Sequence, residues 1–145
     1  MTASETASIL LTDNKQAAET ATCKDGIIDQ ILKNLQILPV EEIQFYHILP
    51  LYTFFQMIDI DKKRLILDKG VMNMMKSFLN SVNEIINQHI ALSIGFLFKA
   101  AQIPDEFGSQ IIVSLEDLTC KMNSTLSVFA LLALDYLAEC QCMLQ

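Results

Sequence analysis

The sequence predicts an all-α fold: a single-domain helical bundle of five to seven helices around one or two very apolar central helices. Three observations carry that expectation. Apolar residues recur at spacings of three and four through most of the chain, the period of one helix face. Strand-like alternation is confined to "ILLTD" and "QIIVSLE", and the second of these lies inside a helical stripe. Two stretches, 88–101 and 126–144, are apolar on nearly every side, the pattern of a helix enclosed by neighbours. With 145 residues, one domain can bury a core without disulfides or a metal.

Taken in order, residues 1–22 are rich in Thr, Ser, Ala and Glu and read as a flexible leader, with Ile9-Leu10-Leu11 as an apolar island that could dock on the body. The bundle domain is expected over 23–145. Ile27, Ile28, Ile31, Leu35 and Leu38 mark one face of a first helix, which Pro39 stops. The segment "VEEIQFYHILPLYTFFQMI" begins with two glutamates suited to a helix start, and Pro50 predicts a break or kink near Leu49. "DIDKKRLILDKG" reads as a charged connector with one or two helical turns ending at Gly70. Val71, Met75, Phe78, Val82, Ile85 and His89 then form a single stripe, predicting one helix that runs on into the apolar stretch 88–101. Pro104, Asp105 and Glu106 start the next helix, whose face is Phe107, Ile111, Leu115, Leu118 and Met122. Asn123-Ser124-Thr125 offers caps for the last one.

Composition limits the function. Apolar residues make up 52% of the chain and charged residues 19%, which leaves the surface short of charge. Part of the apolar surface is therefore expected to meet a protein partner or a second copy of the chain. The net charge of −7 repels phosphate backbones and argues against nucleic-acid binding. The run Lys62-Lys63-Arg64 is flanked by Asp59, Asp61 and Asp68 and reads as a solvated loop. The opening residues show no secretory leader, so Cys23, Cys120, Cys140 and Cys142 are expected as free thiols in the cytoplasm. Asp135 in the middle of the last apolar helix argues against a membrane span.

Catalytic chemistry is not signalled. His47 and His89 sit in aromatic and apolar contexts, Cys140-x-Cys142 is too tight for the usual zinc spacing, and no glycine-rich phosphate loop or nucleophile elbow is present. The expectation is a non-enzymatic protein–protein interaction module, with no catalytic residue, metal or cofactor. It would bind a partner helix or a second copy through an apolar groove lined by parts of 43–58 and 71–90. The residues assigned to that groove are Phe45, Tyr46, Tyr52, Phe55, Met72, Met75, Phe78 and Val82, aromatic walls and flexible thioethers that suit apolar partners. A carrier of an apolar ligand or lipid, built from the same helices, is the alternative.

In its size, helical content and almost wholly apolar helices the chain resembles, in outline, divergent Bcl-2-like proteins such as those of large DNA viruses. That resemblance implies a regulator of apoptosis or host signalling that takes an amphipathic helix in a hydrophobic groove. The family's Asn-Trp-Gly-Arg signature is absent and the chain has no Trp, so no groove residue carries over. The closing Cys142-Met143-Leu144-Gln145 fits a prenylation pattern. Because the apolar helix runs straight into it and no basic residues precede it, the expectation is a helix end rather than a lipid anchor.

Overall fold

The computed structural model describes residues 26–121 and 125–142, together with Gln16. Apart from Gln16, the expected leader lies outside the described residues, as do Asn123, Ser124 and the last three residues. Seven α-helices are present among the described residues: α1 (Ile27–Ile37), α2 (Phe45–Met57), α3 (Ile60–Asp68), α4 (Val71–Leu79), α5 (Glu84–Leu97), α6 (Asp105–Thr119) and α7 (Thr125–Cys142). The fold is an all-α bundle, as its periodicity requires.

One helix is central. Ile86 and every residue of α5 from His89 to Leu97 are buried, and α2, α4, α6 and α7 all pack against it. The apolar all-round composition of α5 is thus matched by neighbours on every side. Gly95 sets the closest approach: a Cβ built there would lie 2.6 Å from the Ala133 Cβ of α7 and 3.4 Å from Leu115 Cδ1 of α6. The second very apolar helix is not enclosed. The side of α7 carrying Ala130, Ala133 and Leu137 is buried, while Val128, Leu131 and Leu132 face outward.

The stripe from Val71 to His89 is not one helix. α4 stops at Leu79 and α5 starts after Asn83, whose side-chain oxygen accepts from the Ile85 N–H at 3.1 Å. Asn87 donates its side-chain N–H to the free Leu79 carbonyl, and Gln110 of α6 donates to the same oxygen at 3.4 Å. Asn80, Ser81 and Asn83 offer such local bonds in place of the helical ladder, and that ends the helix. Val82 consequently lies in the connection, fully exposed at 104%.

Pro50 does not break its helix either; α2 runs through it from Phe45 to Met57. Pro50 cannot donate to the carbonyl one turn back. Ile48, Leu51, Tyr52, Phe54 and Phe55 are buried around it, and their packing holds the segment helical. The connector "DIDKKRLILDKG" is more ordered than a loop. Asp59 caps α3 by accepting from the Lys62 N–H at 3.0 Å. Gly70, at φ +73°, then turns the chain into α4 in a conformation that favours glycine.

Candidate functional site

The structure divides the eight residues expected to line a groove. Phe55, Met75 and Phe78 are core residues with no more than 2% exposure, and Met72 and Tyr52 are buried beside them. Phe45 and Tyr46 are half-buried at the start of α2, and Val82 is exposed in the α4–α5 connection. They do not form one open groove. Phe45 and Tyr52 converge instead on His89 of α5, edge-on at ring-centre distances of 4.6 and 5.4 Å. Tyr52 also meets Phe96 and Phe129, so this cluster fastens α2 to α5 and α7.

Polar groups inside the cluster are largely tied to backbone. The Ile85 carbonyl can only accept, so His89 holds a proton on Nδ1 and donates to it at 2.8 Å. Burial lowers the His89 pKa, and the bond to Ile85 opposes the shift. His47 has the opposite tautomer, because its Nδ1 accepts from the Gln44 N–H at 3.0 Å. Burial lowers its pKa as well. The Tyr52 hydroxyl is buried without a hydrogen-bond partner, and burial pushes its pKa up to about 12. No group of three or more His, Cys, Asp or Glu among the described residues could hold a metal ion.

Among the described residues, α7 carries three exposed aliphatic side chains. Val128, Leu131 and Leu132 are 63%, 59% and 37% exposed. Their spacing of three and four aligns them on one face. Asp135 and Glu139, both exposed, continue it toward the helix end, and α7 contains no Lys or Arg. The face exists because α7 has apolar residues on all sides, while α5, the turn at 98–100 and α6 leave its outer side uncovered. No described helix is long and apolar enough to cross a membrane.

Lys63 departs from the sequence reading. Lys62 and Arg64 pair with Asp59 and Asp61 on their own helix, at 3.4 and 3.9 Å. Lys63 turns inward, is 3% exposed, and donates to the Phe96 carbonyl near the end of α5 at 2.8 Å. The signal was present in the sequence: Lys63 shares a helical face with Ile66, which is also buried.

Comparison with protein-family models, curated proteins and solved structures finds no match to this chain.

Proposed function

We propose that this protein is a non-enzymatic interaction module whose recognition surface is the outer face of α7. Its partner is an amphipathic helix with basic residues beside its apolar stripe. The observation that supports this reading is the exposed series Val128, Leu131 and Leu132, running into Asp135 and Glu139 on a helix without a basic residue. An aliphatic side chain fully removed from water contributes about 1.5–3 kcal/mol, so covering this face is favourable. The acidic end selects the sign of the partner's flank. A second copy of the chain brings Asp135 and Glu139 with no base on its own α7 to meet them, which favours a different partner over self-association.

The outline resemblance to Bcl-2-like proteins points to the same ligand class, and the burial of α5 from His89 to Leu97 is the observation that favours it. Because Phe55, Met75 and Phe78 are core residues, a groove in the originally expected place would require displacing them.

A fluorescence anisotropy titration tests the proposal. The probes are a labelled helical peptide with Leu at positions i, i+3 and i+4 and Lys on its flanks, and the same peptide with Glu in place of Lys. The basic peptide should bind the more tightly, and Leu131→Glu should weaken it by about tenfold or more, ~1.4 kcal/mol. Equal binding of both peptides, or no effect of Leu131→Glu, would sink the proposal. Light scattering that shows a dimer abolished by Leu131→Glu would replace the partner with a second copy.

A further inference from the structure

Two ammonium groups converge on one tyrosine ring. Lys99 Nζ lies 3.8 Å from the centre of the Tyr136 ring, and Lys63 Nζ lies 5.8 Å from the same centre. Among the described residues, neither ammonium is within ion-pair distance of a carboxylate. Both side chains line an open surface cleft of about 590 Å³. Its other walls include Met57 and Ile60, with Asp59 and Asp61 beside them.

The two lysines have different anchors. Lys63 is tied to the Phe96 carbonyl, at the negative end of the α5 dipole. Among the described residues, Lys99 rests on the ring face. Burial together with the nearby charge of Lys99 pushes the Lys63 pKa down to about 8, and Asp59 acts in the other direction. An anion placed between the two ammonium groups removes their repulsion. Asp59 opposes that repulsion, but its carboxylate also caps the Lys62 N–H and pairs with the Lys62 ammonium. Asp61 is paired with Arg64. These two carboxylates disfavour a dianion such as phosphate. The thioether of Met57 and the Ile60 side chain, 41% exposed, supply an apolar wall.

We infer that this cleft binds a monocarboxylate with an apolar tail, the carboxylate held by Lys99 and Lys63 beside the Tyr136 ring and the tail lying along Met57 and Ile60. Binding is non-covalent and uses none of Val128, Leu131 and Leu132.

Isothermal titration of the full chain with octanoate, 1-octanol and inorganic phosphate tests the inference. Octanoate should bind saturably, and octanol and phosphate should each bind about tenfold or more weakly. Lys99→Gln should weaken octanoate by a similar factor, and Lys99→Arg should restore it. Ile60→Ser should weaken octanoate while leaving the weak binding of phosphate unchanged. Lys99 and Ile60 are partly exposed, so these variants keep the core intact. Absent octanoate binding, equal binding of octanol, or an unchanged affinity in Lys99→Gln overturns the inference. Phosphate binding as tightly as octanoate overturns the assignment of an apolar tail. A Leu131→Glu variant that still binds octanoate separates this site from the partner surface.

Discussion

Replacing Gly95 by Ala tests how α5 is held. Alanine ordinarily stabilises a helix interior by about 1 kcal/mol relative to glycine. At this position its methyl would stand 2.6 Å from Ala133 Cβ, 3.6 Å from Ala133 Cα and 3.4 Å from Leu115 Cδ1. Carbon atoms in favourable contact are about 3.5–4.0 Å apart, so α7 must move by roughly 1 Å. Ala133 has no rotatable side chain with which to yield. Overpacking costs about 1–3 kcal/mol, and a rigid neighbour places this case at the upper end. Net of the helix preference, Gly95→Ala should destabilise by about 2 kcal/mol, a fall in melting temperature of roughly 4–8 °C.

Urea unfolding followed by far-UV circular dichroism measures the change. Ala133→Gly removes the clashing atom, so the pair Gly95→Ala, Ala133→Gly should be more stable than the two single changes predict by addition. A coupling of about 2 kcal/mol is expected, of the size measured for residues in contact. A Gly95→Ala protein as stable as the original, or strictly additive behaviour, would refute the close α5–α7 approach.

Other expectations follow from the buried groups. Phe78→Ala should cost about 3–5 kcal/mol in urea unfolding, because the ring is 2% exposed, whereas Val82→Ser should change stability by less than ~0.5 kcal/mol. The Lys63 amine has a pKa below its unfolded value, so between about 8 and 10.5 the unfolded chain holds more protons and stability should rise with pH. Lys63→Met should remove that rise. His89 is likewise lowered, so its contribution is complete above the unfolded value of 6.5 and is lost as pH falls below it. His89→Gln should flatten that part of the stability profile relative to the original chain.

The fold class was legible because the helical period is a local property. The Ile28–Leu35 face, the Phe107–Leu118 face and the enclosed helix around Ile90–Leu97 are all visible in the sequence. What escaped depended on competition between local and tertiary terms. Asn80, Ser81 and Asn83 interrupt the helix while the apolar spacing continues across them, so spacing alone puts Val82 in a stripe that it leaves. Pro50 signals a break or kink, and the surrounding buried side chains carry the helix through it without a break. Lys63 was hidden by its charged neighbours, although its spacing from Ile66 points inward. Composition announced excess apolar surface without locating it. The outer face of α7 became visible only once α5 and α6 were seen to cover just one side of that helix.

The central claim is that Val128, Leu131 and Leu132 are where a partner helix sits. Backbone amide chemical shifts of the isotopically labelled protein, followed during titration with the Lys-flanked helical peptide, test it most directly. The saturating shifts should cluster at Val128, Leu131, Leu132 and Asp135, with Phe55, Met75 and Phe78 unmoved. Shifts centred instead on the core residues of α2 and α4 would contradict it.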